Sequence, residues 1–224
     1  MPPIFVLAST SPARRHLLEQ AGFTPLIYPS RFDEAAVRCN DPAELVERLA
    51  LGKAEAVAQH FHEAPPAPDT DYVILGCDSV LVLGGQVCGK PGTTEAAIAR
   101  WHQMRGRTGT LLTGHALLTV PARSAAPPSS QEPLVRHQNT QVHFANASDR
   151  QIEAYVATGE PLQCAGAFTL EGQGGLLIEG IEGCYSNVIG LSLPLLRKML
   201  ADLGYDVVDF WAGNTECTAL PRNN

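Results

Sequence analysis

The chain has 224 residues, 45% hydrophobic and 17% charged, a composition that can fill a sizeable core and excludes disorder, collagen and coiled coil. Sixteen lysines and arginines against 23 aspartates and glutamates leave a net charge of −7, which argues against a nucleic-acid partner because an acidic surface repels long polyanions. A small phosphate-bearing ligand, held by a few placed cations, stays compatible with that charge.

In chain order, residues 1–6 lack the basic start of a signal peptide, and residues 4–8 predict a short strand. Ser9-Thr10-Ser11-Pro12 offers an N-cap and a proline in the first turn, so a helix is expected to run to Ala21 and stop at Gly22. Residues 24–29 predict a second strand, and Asp41-Pro42 opens a long helix to about His60. The proline-rich residues 63–71 read as a loop before a strand over 72–83, whose apolar run is too short to span a bilayer and carries Asp78. The protein is therefore expected to be soluble and intracellular, with no membrane partner.

Gly84-Gly85 suits a hairpin turn back through Gln86-Val87-Cys88, Thr93-Thr94-Glu95 caps a helix to about Met104, and a strand is expected over 109–120. Residues 121–133, rich in Pro, Ala and Ser, predict a mobile hairpin tip, from which a strand returns over 134–144. Ser148 caps a helix over 149–158, and a glycine-rich stretch over 165–190 has β character. A helix over 193–203 follows, then Val207-Val208. Helices alternate with strands and inserted hairpins, which predicts an α/β class: a mixed, partly antiparallel central sheet flanked by helices, one domain over residues 1–224.

Charges interrupt three apolar stripes. On the long helix, Val46, Leu49, Ala50, Ala54 and Val57 define one buried face, and Lys53 occupies its i+7 position. Either its ammonium extends to the helix edge or it points into a cleft and meets an anion. On the first helix, Leu17, Leu18 and Ala21 make the apolar side and Arg14 sits in register with them, beside Arg15. Cations in a first turn are disfavoured by the helix dipole unless an anion is near. A phosphate at this N-terminus, with Ser9, Ser11 and both arginines, would supply one; a surface arginine pair with Ser11 as a plain cap is the other reading. Asp78, inside an apolar strand, needs a partner, either a structural cation or a divalent metal with a water to activate. Asp33-Glu34 is a second acidic pair that could share that metal.

Several motifs fail. Gly84-x-x-x-x-Gly89-Lys90 begins like a P-loop, but Pro91 stands where a magnesium-ligating Ser or Thr belongs and the context is a hairpin, so Lys90 is left as a cation placed by Gly89 and Pro91. Gly172-x-Gly174-Gly175 misses the dinucleotide fingerprint at Leu177. There is no H-E-x-x-H or G-x-S-x-G, His60-x-His62 reads as solvated, and the six cysteines form no C-x-x-C pair.

Together, residues 7–18 with Ser9-Thr10-Ser11-Pro12-Ala13-Arg14, Phe32-Asp33-Glu34, Leu49-Ala50-Leu51-Gly52-Lys53-Ala54, Gly76-Cys77-Asp78-Ser79-Val80, Gly89-Lys90-Pro91 and residues 155–193 resemble, in order, the motifs of the Maf family of nucleotide pyrophosphatases. The resemblance implies an ITPase-like fold with a cleft between two lobes, and hydrolysis of standard or modified nucleoside triphosphates to monophosphate and pyrophosphate. It also implies a divalent cation (Mg2+ or Mn2+), a cytoplasmic location and often a homodimer. It makes Ser9, Arg14, Lys53 and Lys90 phosphate ligands, Glu34 a metal ligand, Asp78 the proton acceptor, and Glu171 a neighbour of the base or metal. Members acting on thymidine and uridine triphosphates carry Arg at the Ala13 position and usually Gln at the Glu171 position. The branch acting on 7-methyl-GTP has Glu at the latter but Trp at the former. Both prefer Thr or Gln where this chain has Ser79. Maf relatives are also associated with cell division, so a nucleotide-sensing regulator of septum formation with little turnover is the alternative.

Overall fold

The structure is a computed structural model that describes residues 3–67, 69–122 and 132–211. Strand β3 (Tyr72–Leu83) is the spine of a mixed sheet. Its first residues pair in parallel with β1 (Ile4–Leu7), ending at Leu7 opposite Leu75, and its last residues pair antiparallel with β4 (Gln86–Cys88), starting at Leu81 opposite Cys88. Among the described residues, positions 76–80 on that edge have no strand beside them. The other edge pairs antiparallel with β5 (Thr108–Val120), followed by β6 (Leu134–Phe144) and β7 (Ile178–Glu182), while β2 (Leu26–Ile27) lies beyond β1 in parallel.

The capping chemistry sets where the helices begin. α1 (Pro12–Gln20) starts with Pro12 behind Ser11, whose Oγ accepts the Arg14 N–H, and gives way to Gly22 at φ +88°. α2 (Pro42–Glu63) starts behind Asp41, whose carboxylate accepts the Ala43 N–H at 3.0 Å. It runs a turn past the expected end at His60 because Phe61 is buried edge-on against Tyr28 and Tyr72, with ring centroids at 5.0 and 4.9 Å. α3 (Thr94–Met104), α4 (Asp149–Ala157), α5 (Tyr185–Ile189) and α6 (Leu193–Asp202) complete the set. No helix of the described residues is long and apolar enough to cross a membrane.

Alternation along β3 divides its side chains between two layers. Val73, Leu75 and Cys77 pack with Leu17 and Leu18 of α1 and Leu196 and Leu200 of α6. Tyr72 and Ile74 pack with Ala50, Ala54 and Val57 of α2, the stripe expected from the sequence. A third core, around Trp101, Phe144, Tyr155 and Phe168, joins the far end of β3 to α3 and α4. α2 lies directly on the sheet because Gly76 and Gly114 face it: a Cβ on Gly76 would overlap the Ala50 carbonyl, and one on Gly114 the Val46 carbonyl. Gly114 is the register partner of Asp78, so this close approach occurs beside the aspartate.

Residues 165–190 depart from the expected β character. They form 3-10 turns at Ala165–Ala167 and Gly172–Leu177, then β7 and α5. Positive φ at Gly166, Ala167 and Gly172 breaks the extended backbone. The Glu160 carboxylate, which accepts from the Thr169 hydroxyl and from the Gln173 and Gly174 N–H groups, ties the segment into a compact loop. Val207-Val208 likewise lie in a 3-10 turn, Val207–Phe210. Most of the expected hairpin tip, residues 123–131, lies outside the described residues.

Candidate active site

The unpaired stretch of β3 floors a cleft of about 640 Å3, bounded by the β1–α1 segment on one side and by the loops around Lys90 and Phe168 on the other. Ser9, Arg14, Glu34, Lys53, Asp78, Lys90 and Glu171 all line it. The structure does not bring Arg15 there. Arg15 is exposed on the outer side of α1 and pairs with Glu19 at 2.7 Å, because one step along a helix turns the side chain by about 100°.

Arg14 is held by three separate segments of the chain. Its Nε donates to the Gly190 carbonyl at 2.8 Å, Nη2 to Ser79 Oγ at 3.1 Å and Nη1 to Ser9 Oγ at 3.4 Å. Ser9 Oγ also accepts the Ser11 N–H at 3.2 Å, so the β1–α1 turn and the arginine are fixed together. Such a guanidinium, pre-oriented beside a helix N-terminus, can bind phosphate oxygens without first losing side-chain freedom.

Lys53 does not reach the helix edge. It is only 7% exposed, with Nζ at 2.5 Å from Asp78 Oδ1 and 2.8 Å from Glu34 Oε1. The even-numbered positions of β3 face α2, which puts Asp78 under Lys53. Glu34 comes from a 3-10 turn, Glu34–Ala36, capped by Asp33. Partial burial raises the Glu34 carboxyl, but the Lys53 hydrogen bond and the charges of Lys53, Lys90 and Arg14 outweigh it and hold the group below the usual carboxylate range.

On the other wall, Lys90 follows β4 on a loop whose Gly89 carbonyl accepts from the Arg100 guanidinium and from the Gly166 N–H. Glu171 sits on the glycine-rich loop, with its backbone carbonyl beside Thr169 Oγ1. Burial raises the Glu160 carboxyl that clamps this loop, yet the Thr169 hydroxyl and the Gly174 and Gln173 N–H groups bring it below its ordinary value. The hard oxygens of Glu34 and Asp78, close enough to share one ammonium, suit a small divalent cation that would take its remaining ligands from phosphates and water. Among the described residues no group of three or more His, Cys, Asp or Glu side chains could hold a metal on its own.

Sequence reasoning missed the supports behind these groups. Ser79 Oγ lies 2.9 Å from Thr113 Oγ1, which donates to the Asn187 carbonyl at 3.1 Å. The Asn187 side chain donates to the Gln138 carbonyl and to Thr140 Oγ1, each at 3.1 Å, knitting α5 to the sheet. A hydroxyl beside Asp78 in an apolar strand was the one visible signal. Glu160 lies in the resembling segment 155–193 but was given no role, since a carboxylate after a glycine usually faces solvent.

Comparison with known proteins shows the family. The family model described as Maf-like protein matches residues 4–203. Proteins named nucleoside triphosphate pyrophosphatase are similar along nearly their whole length. The one from Nostoc punctiforme is 54% identical over 93% of this chain and 98% of its own; that from a Cyanothece strain is 57% identical over 92% and 98%. The one from Thermosynechococcus vestitus is 56% identical over 92% and 96%. Among solved structures, the Ham1 protein of Staphylococcus aureus aligns with 89% of this chain and 98% of its own, with a TM-score of 0.47 and 13% identity. The chain belongs to the Maf-like protein family.

Proposed function

We propose that this chain hydrolyses nucleoside triphosphates, standard or modified, to nucleoside monophosphate and pyrophosphate in the cleft over β3. The observation that carries the reading is the convergence of Arg14, Lys53 and Lys90 with Glu34 and Asp78 around one cavity of nucleotide size. The names of the relatives support the reaction class.

In this reading Arg14, Ser9 and the N-terminus of α1 bind phosphate oxygens on one side, and Lys90 binds them from the other. Lys53 orients the two carboxylates and neutralises charge that grows in the transition state, where a placed donor is worth about 3–4 kcal/mol. A divalent cation, Mg2+ or Mn2+, held by Glu34 and Asp78, would supply further neutralisation of the phosphates. Asp78 takes the proton of the attacking water, and pyrophosphate leaves stabilised by the cations. Glu171 stands at the rim, where it can meet the base or the metal-side carboxylates. The homodimer and the cytoplasmic location implied by the family resemblance belong to the same reading.

The test is incubation of the full chain with Mg2+ or Mn2+ and a panel of standard and methylated nucleoside triphosphates in 18O-water. Monophosphate and pyrophosphate are expected, with the label in one of them according to the phosphorus attacked. Nucleoside diphosphate with orthophosphate would overturn the reaction. Tight nucleotide binding without any release would replace it with the sensing role.

A further inference from the structure

Gly52 lies buried in the interior of α2, a position where glycine weakens a helix. It does not serve the approach of α2 to the sheet, which depends on Gly76 and Gly114. A Cβ at Gly52 would instead meet the ring of Phe32, with Cε1 at 2.9 Å, Cε2 at 2.6 Å and Cζ nearer still. Phe32 belongs to the segment that carries Glu34. Arg31, Asp33, Glu34, Ala35 and Ala36 in that segment are exposed, while Phe32 is half-buried, and Arg31 holds a left-handed φ of +51° just before the ring. The segment therefore touches α2 at two consecutive helix positions: the ring on Gly52 and the Glu34 carboxylate on Lys53.

We propose that Gly52 and Phe32 are positioning residues for Glu34: the bare helix backbone at 52 seats the aromatic ring, and the seated ring brings the carboxylate within reach of the Lys53 ammonium. Any side chain at 52 lifts the ring and with it the whole exposed segment, while the core beneath stays packed. The consequence for catalysis rests on the role given to Glu34 above; the positioning itself does not.

The first readout is independent of activity. Lys53 of the full chain is acylated with an amine-selective reagent and quantified by peptide mass spectrometry, with the exposed Lys198 as internal reference. Glu34→Gln removes the charge that faces the ammonium and should speed labelling of Lys53 by about two- to fivefold, the scale of one partly exposed ion pair. Gly52→Ala should do the same, and the double variant should be no faster than Glu34→Gln alone. The second readout is kcat/KM for magnesium-nucleotide: Glu34→Gln should lower it clearly in the wild-type background but by less than about twofold when Gly52 is already alanine. Thermal unfolding of Gly52→Ala should stay cooperative with an unchanged or raised midpoint. Should that variant fail to fold, Phe32→Ala, which adds no atom to α2, carries both readouts. Wild-type labelling of Lys53 in Gly52→Ala or Phe32→Ala, or full additivity with Glu34→Gln, overturns the proposal. A wild-type protein that cleaves no nucleotide overturns the function proposed for the cleft while the labelling still decides the positioning.

Discussion

Asp78 and Ser79, consecutive on β3, hold different cations in different layers of the fold: Asp78 Oδ1 is 2.5 Å from Lys53 Nζ on the α2 side, and Ser79 Oγ is 3.1 Å from Arg14 Nη2 on the α1 side. One dipeptide thus sets the positions of two cations from helices far apart in the chain, at the point where β1 has ended and the strand edge opens into the cleft. The period of two along a strand makes this division, and the missing neighbour strand makes it accessible.

Asp78→Asn should cost at least about a hundredfold in kcat, the scale of a lost general base, with the fold intact. The amide still accepts from Lys53, so circular dichroism and the unfolding midpoint should change little. A wild-type kcat in this variant removes Asp78 as the proton acceptor.

Ser79→Ala leaves Arg14 with only the Gly190 carbonyl and Ser9 as partners. Looser placement of a phosphate ligand should raise KM by about three- to tenfold, close to 1 kcal/mol, with a smaller effect on kcat. Steady-state kinetics decide this, and an unchanged KM shows that Gly190 and Ser9 suffice.

Gly114→Ala inserts a methyl group against the Val46 carbonyl of α2. Backbone cannot yield as a side chain end can, so a loss of about 1–3 kcal/mol in urea-measured stability is expected, together with reduced turnover as Lys53 is lifted from Asp78. Stability equal to wild type would show that α2 can shift freely on the sheet.

His115 predicts the acid behaviour. Its ring is fully buried, with Nε2 accepting the Ser192 N–H at 2.9 Å and Nδ1 facing the Thr113 carbonyl at 3.1 Å, and burial pushes its pKa from 6.5 down to about 3. The unfolded chain takes up the proton near 6.5 whereas the folded one resists it to about 3, so stability should fall as the pH drops through that window. The lowered Glu34 carboxyl adds a loss in the same direction only below its ordinary value of 4.5. Urea midpoints between about pH 7 and 5 isolate the histidine, and His115→Gln should flatten the slope there; an equal slope in both proteins assigns it elsewhere.

Lys53 and Asp78 were legible because each contradicts its own surroundings, a charge where the helix or strand period demands an apolar residue. Arg14 and Arg15 were separable only in part: both suit a phosphate at a helix start, Arg14 alone falls in register with Leu17, Leu18 and Ala21, and the packing of α1 on the sheet is what turns Arg15 out to Glu19. The loop over 165–177 was misread because its turns are held by Glu160, and nothing near that residue in the chain announces three donors folding onto it. Ser79, Thr113 and Asn187 form a support that exists only once β3, β5 and α5 are side by side.

By itself the sequence determined the alternation of helices and strands, the apolar face of α2 and the identity of the ionised side chains, because these depend on periodicity and capping among near neighbours. Only the tertiary structure decided that Lys53 bridges two carboxylates, that Ser79 steers Arg14, and that a bare glycine seats the ring of Phe32. Those outcomes depend on distances across the sheet, set by the close approach that Gly76 and Gly114 permit, and no local pattern encodes a distance between segments brought together only by packing.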